Sequence, residues 1–180
     1  MTRSEEQTLA RWEADERAIR GRAAPYGVAR PEQVAGLSGH DFIRAMLDGT
    51  IARAPIAETL DFILVHVEPG HAVFQGRPLR KHYNPMGTVH GGWYATLLDS
   101  AVGCAVHASL PVGKAYTTLE LKMNIVRALT DRIPLVRAEG RVVHTGSQIA
   151  TAEGRLVGPD GKLYAHASTT CLIFDQRAPR

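Results

Sequence analysis

The chain has 180 residues, 44% of them apolar and 22% charged, a balance typical of a single globular domain. The net charge of +3 is small, and the basic residues form no stripe, which argues against a nucleic-acid partner. No apolar run approaches the roughly 18 residues of a membrane span, and the start lacks an apolar signal segment, so we expect a cytoplasmic protein with no membrane partner.

Two helices are predicted in the N-terminal third. A narrow stripe at helical spacing predicts the first one, and its members are Leu9, Trp12, Glu16 and Ile19. The second is predicted over residues 38–49, between a capping Ser38 or Asp41 and a terminating Gly49. We expect residues 1–35 to form an accessory helical arm, and residues 36–180 to form the main domain.

Strand patterns begin at about residue 57. The predicted elements are strands over 62–67 and 71–75, a helix over 91–109, and strands over 118–125, 135–143, 149–157 and 162–174. Pro69 and Gly70 predict a hairpin turn between the first two strands, and strict alternation over 118–125 indicates a half-buried strand. Runs of strands with one long helix between them predict an α+β fold.

The most informative motif lies at the start of the long helix. It consists of Asn84, Gly87, His90, Gly91, Gly92 and, seven residues after the last glycine, Asp99. A carboxylate inside an apolar run is costly unless it is used, and burial among Leu98 and Val102 is expected to raise its pKa. Two glycines at a helix start present backbone N–H groups, which could stabilise an oxyanion.

With this spacing the motif resembles the active-site signature of the PaaI-type hotdog-fold acyl-CoA thioesterases, and the resemblance extends over about residues 62–174. It implies a hotdog fold, which is an antiparallel sheet wrapped around one long central helix, here with extra N-terminal helices. It also implies hydrolysis of an aromatic or medium-chain acyl-CoA to the free acid and CoA. Asp99 would act as general base or nucleophile, and Gly91 and Gly92 would form the oxyanion site.

The resemblance implies further roles. Asn84 would polarise the thioester carbonyl, although Asn before proline is also a common turn residue. His90 would shape the loop more than transfer protons, and Thr118 would orient water unless it is only a β-branched strand residue. Trp93 and Tyr94 are expected to line part of the acyl tunnel. The active unit would be a homodimer or homotetramer in which the Asp99 of one subunit faces the glycine turn of another.

The cofactor and metal expectations are negative. Coenzyme A would be part of the substrate, and His82, His107, His144 and His166 show no metal-ligand spacing, so no metal site is expected.

The turn that follows His144 departs from the family pattern. Many relatives carry a Gly-Arg-Arg-like sequence there, whereas this chain has Gly146-Ser147-Gln148. We therefore expect other cations to bind the nucleotide phosphates, with Arg127, Arg141 and Arg155 as candidates.

Two other functions compete with hydrolysis. A non-catalytic hotdog module that binds acyl-CoA or another acyl ligand is the alternative, while a hotdog hydratase would need a histidine loop with clustered prolines that is missing here.

Overall fold

The computed structural model describes residues 2–176, which form five α-helices and one six-stranded antiparallel sheet. The helices are α1 (Arg3–Arg22), α2 (Pro31–Val34), α3 (Gly39–Leu47), α4 (Pro55–Leu60) and α5 (Gly91–His107), with a short 3-10 turn at Arg80–His82. The strands are β1 (Phe62–Glu68), β2 (His71–Gly76), β3 (Lys114–Ile125), β4 (Val136–Thr145), β5 (Ile149–Val157) and β6 (Leu163–Asp175). None of the helices in the described part is long and apolar enough to cross a membrane.

The sheet has the strand order β1-β2-β4-β5-β6-β3 and wraps around α5. The buried side of α5 carries Leu97, Leu98, Ala101 and Val102, none of which is exposed to solvent. Burial of this apolar side is the main interaction that holds α5 against the sheet. The predicted antiparallel sheet around one long helix is confirmed.

Two glycines let α5 lie directly on the backbone of the sheet. Gly140 of β4 and Gly154 of β5 are paired across the two strands. A Cβ atom on Gly140 would collide with the α5 backbone at Ala101 and Val102, and one on Gly154 would press on the side chains of Val102 and Leu98. The sheet at this point therefore has no side chain between it and the helix.

The N-terminal helices cover one edge of the sheet. Helix α1 begins with a capping box between Thr2 and Glu5, and its predicted stripe buries Trp12, Glu16 and Ile19. Helices α3 and α4 pack against β1, the edge strand. Helix α4 was not predicted, although Pro55 at its first position is a typical helix start. The other edge strand, β3, pairs only with β6 among the described strands.

Polar contacts attach α1 to the sheet. The buried carboxylate of Glu16 accepts hydrogen bonds from Arg20 Nε at 2.7 Å, Gln75 Nε2 at 2.9 Å and Arg77 Nη2 at 3.2 Å. Burial alone would raise the pKa of Glu16, but the hydrogen bonds from Arg20 and Gln75 outweigh it and hold the pKa below its usual value. Since Ile19 also belongs to the main core, α1 is closely packed, and the division at residue 35 stays a prediction.

Candidate active site

Asp99 lies on the side of α5 that faces away from the middle of the sheet. The less buried residues of the helix recur at helical spacing on this side, and include Thr96, Asp99, Ser100 and Cys104. The prediction that Asp99 is buried was wrong for the single chain, where the residue is exposed. The apolar neighbours in sequence point to the sheet, whereas Asp99 points to the open side.

Thr118 lies next to Asp99, so the structure brings these two predicted residues together. Its Oγ1 donates a hydrogen bond to Asp99 Oδ1 at 3.3 Å. Enough protein surrounds the carboxylate for desolvation to raise the pKa of Asp99 above its usual value, while the bond from Thr118 acts in the opposite direction. A raised pKa makes the carboxylate a stronger base. A general base works best when its pKa is near the working pH, so this shift favours proton transfer to Asp99 near neutral pH.

An apolar cavity of about 210 Å³ has Asp99 in its wall. Its wall is built by the N-terminal helices, by β1 and β2, and by α5 with β3. The residues that represent these parts are Ile19 and Met46, Phe62 and Phe74, and Cys104 and Tyr116. Ile19 and Met46 were missed as site residues, because nothing in the sequence shows which distant element each of their helices packs against. The arrangement suits an apolar group whose reactive end lies at a carboxylate.

The cavity does not include Trp93 or Tyr94, which were predicted to line the acyl tunnel. Trp93 stacks on His82 with 5.5 Å between ring centroids, and its Nε1 donates to the carbonyl of Leu60 at 2.9 Å. Tyr94 Oη accepts the N–H of Leu129 at 2.6 Å. Both side chains point into the core and away from this cavity, and their place in an acyl tunnel stays a prediction.

The start of α5 presents one uncommitted backbone donor. His90 is the capping residue, and its Nδ1 accepts the N–H of Gly92 at 2.9 Å. The N–H of Gly91 donates to no acceptor in residues 2–176. Of the two predicted oxyanion donors, Gly92 is therefore engaged in the cap and Gly91 is available.

The glycine turn and Asp99 of one chain lie apart. They are separated by eight residues of the same helix, which is about 12 Å along its axis. A single carbonyl group cannot contact both.

Asn84 organises the loop before the helix. Its Oδ1 accepts the N–H groups of Met86 at 2.9 Å and Thr88 at 3.3 Å, and its Nδ2 donates to Thr88 Oγ1 at 3.0 Å. All these partners lie within the turn, where Gly87 adopts a positive φ of 87°. A direct role of Asn84 toward substrate stays a prediction.

The three candidate arginines do not converge. Side chains alternate along a strand, and since Gly140 and Gly154 face α5, the adjacent Arg141 and Arg155 face the other side of the sheet. They cannot reach a ligand bound at the Asp99 of the same chain. Arg127 follows β3 and is exposed, and its carbonyl accepts a hydrogen bond from Tyr94 Oη at 3.2 Å.

Cys104 lines the cavity but is a poor nucleophile. Burial, and secondarily the charge of Asp99, raise the pKa of its thiol to about 12. The reactive form of cysteine is the thiolate, so this side chain stays protonated and contributes only to the cavity wall.

Comparison with known proteins shows which family the chain resembles. The model of the thioesterase superfamily matches residues 86–165. A protein of Halobacterium salinarum, named only as a candidate esterase, is 37% identical over 81 residues, and this match spans 45% of our chain and 53% of that relative. The 1,4-dihydroxy-2-naphthoyl-CoA hydrolase of Listeria monocytogenes is 25% identical over 122 residues, which cover 68% of our chain and 98% of the relative.

A solved structure extends the similarity to the fold. The phenylacetic acid degradation protein PaaI of Thermus thermophilus, solved as a point mutant, superposes with a TM-score of 0.59 at 30% identity. The superposition covers 66% of our chain and 97% of that protein. The chain therefore belongs to the thioesterase superfamily, in its PaaI-type, hotdog-fold branch.

Proposed function

We propose that this protein hydrolyses acyl-CoA thioesters with an aromatic or medium-chain acyl group, and that Asp99 is the general base. The observation that carries the proposal is the position of Asp99, a carboxylate of raised pKa in the wall of an apolar cavity. The acyl group would occupy the cavity, which would hold the thioester carbonyl next to the carboxylate. The relative named as a naphthoyl-CoA hydrolase supports both the CoA carrier and an aromatic acyl group.

The reaction needs one water molecule. Asp99 accepts a proton as the water oxygen bonds to the carbonyl carbon, and Thr118, 3.3 Å from the carboxylate, helps to position the water. The carbon–sulfur bond then breaks, and the thiolate takes up the proton. Since Asp99 is exposed, the water has room to stand between the carboxylate and the substrate.

A second copy of the chain would supply the oxyanion donor. The Gly91 N–H of the same chain is about 12 Å away along α5, so the donor must come from another helix start. The unpaired edge of β3 offers the contact, because Leu119 and Ile125 of this strand are 56% and 46% exposed. Pairing two β3 edges would remove both free edges and place two α5 helices side by side.

Arg127 is the proposed contact for the phosphates of coenzyme A. It is exposed and lies beyond the end of β3, close to the start of α5, whereas Arg141 and Arg155 would reach only the site of another copy.

The decisive test is an Asp99→Asn variant, which keeps the shape of the side chain and removes the base. Thiol release from a panel of acyl-CoA esters should show a kcat lower by about 10²- to 10⁴-fold. Glu32→Gln, which changes an exposed carboxylate on α2, is the matched control and should behave like wild type.

Two results would contradict the proposal. One is an Asp99→Asn variant that keeps more than about a tenth of wild-type activity, which would exclude this base. The other is a wild-type protein that binds acyl-CoA without turnover, which would favour the non-catalytic module. An acyl group trapped covalently on Asp99 would show the nucleophilic route in place of the general base.

A further inference from the structure

Three potential metal ligands lie together at the end of the β1–β2 hairpin, away from the thioesterase site. His66 and Glu68 are two residues apart on β1 and therefore share a face. His71, the first residue of β2, is paired directly opposite Glu68 and adds its side chain to the same face. The sequence showed no such site, because the three residues are brought together only by the register of the hairpin.

The distances suit a shared ion. His66 Nε2 and Glu68 Oε1 are 3.4 Å apart, and the rings of His66 and His71 have their centroids 5.1 Å apart. One ligand atom from each residue lies within 4.8 Å of the others. Tetrahedral zinc with bonds of about 2.0–2.1 Å would hold its ligand atoms about 3.3 Å apart, so one pair is already in place and small rotations bring in the third.

His71 has a nitrogen that no hydrogen bond satisfies. Its Nε2 is shielded from solvent and has no partner in residues 2–176. A buried polar atom without a partner is unfavourable, and coordination to a cation would satisfy its lone pair. The contact between His66 and Glu68 could be an ordinary ion pair. Such a pair does not explain why the Nε2 atom of His71 is buried without a partner in the described part of the chain.

The charges around the cluster are mixed. Arg141 of β4 lies opposite His71 and opposes a bound cation. Glu68 within the cluster and Glu139, two residues before Arg141 on the same face, offset it. A divalent ion bound by two neutral imidazoles and one carboxylate therefore stays compatible with the local charge.

We propose that His66, Glu68 and His71 form a binding site for a divalent transition-metal ion, with Zn²⁺ as the best match and water completing the coordination. Two imidazole nitrogens and one carboxylate oxygen are a common zinc ligand set. The ligands lie on the side of the sheet that faces away from α5, since the neighbouring Gly140 faces the helix and Arg141 does not. The ion would join β1 to β2 at the edge of the sheet and stabilise the fold, without a role at Asp99.

Zinc chloride titration of the chelator-treated, full-length protein tests the site. Calorimetry should find one Zn²⁺ per chain, and zinc should raise the Tm because it binds the folded state. The affinity should fall by at least about tenfold in His71→Ala and in His66→Ala. His144→Ala, at an exposed histidine outside the cluster, is the control and should keep wild-type affinity.

The outcome does not depend on enzymatic activity. Since the side chain of His66 is 44% exposed, His66→Ala should fold even if His71→Ala does not. Absence of zinc binding, or equal zinc affinity in wild type and His66→Ala, would overturn the proposal.

Discussion

Ile19 provides the most direct test that the N-terminal helices belong to the acyl site. The residue lies on α1, is only 6% exposed, and forms part of the cavity that contains Asp99. Replacing it with alanine removes three carbon atoms from the wall. We expect Ile19→Ala to accept acyl chains two carbons longer than the wild-type optimum.

The magnitudes follow from burial. Each methylene that leaves water contributes about 0.8 kcal/mol, which is a factor of about four in kcat/KM. For an ester two methylenes longer than the wild-type optimum, kcat/KM of Ile19→Ala should therefore rise about fifteen-fold. The same change should lower the free energy of unfolding by about 2 kcal/mol, at the low end for buried Ile→Ala, because the side chain already borders a cavity.

The assay is thiol release over a series of acyl-CoA esters of increasing chain length. Ile51→Ala is the matched control, since Ile51 is 2% exposed but does not line the cavity. It should lose stability while its chain-length preference stays unchanged. If Ile19→Ala has the same chain-length profile as Ile51→Ala, α1 is not part of the acyl site.

Three other variants address the polar contacts and the free edge. Glu16→Gln should lower the free energy of unfolding at pH 7 by about 1–3 kcal/mol. Folding lowers the pKa of Glu16, so the ionised carboxylate stabilises the fold at pH values above its ordinary pKa of 4.5, and this stabilisation is lost as the pH falls through the pKa of the folded state. The difference in free energy of unfolding between wild type and Glu16→Gln, measured by urea titration, should therefore be smaller at about pH 3 than at pH 7. Thr118→Val should move the acid limb of the pH profile of kcat/KM to higher pH, because the hydrogen bond that it removes holds the pKa of Asp99 down. Thr118→Ser keeps a hydroxyl group and should leave the limb in place. An unchanged limb in the valine variant would show that Thr118 does not act on the base. Leu119→Lys should produce inactive monomers in sedimentation if β3 edges pair, and active monomers would refute the shared site.

The main domain was largely predictable because its periodicities are local. Strand β5 has the predicted bounds of residues 149–157, and both ends of β1 and β2 differ from prediction by at most one residue. Strand β3 begins four residues early, at Lys114, because pairing with β6 extends it beyond the alternating segment. Met1 of the predicted arm and residues 177–180 of the predicted main domain lie outside the described part of the chain.

The site was predictable only in part. Asp99 and Thr118 lie close together because α5 packs against β3, and the family resemblance indicated both residues. The direction in which Trp93 and Tyr94 point depends on which side of α5 the sheet covers. A helix with few polar residues gives only a weak indication of that side. The contribution of Ile19 and Met46 to the cavity depends on contacts between distant segments, for which a single sequence has no signal.

The glycine pair at Gly140 and Gly154 has a consequence for how such a protein can be diversified. The height of α5 above the sheet, and with it the position of Asp99, is set by two strand residues that do not line the cavity. The wall of the cavity at Ile19 and Met46 belongs to separate helices. Under the proposed function, mutations that alter the acyl group accepted can therefore accumulate in the N-terminal helices while Asp99 keeps its position on α5. Even a single methyl group at Gly140 would push α5, and with it Asp99, away from the sheet.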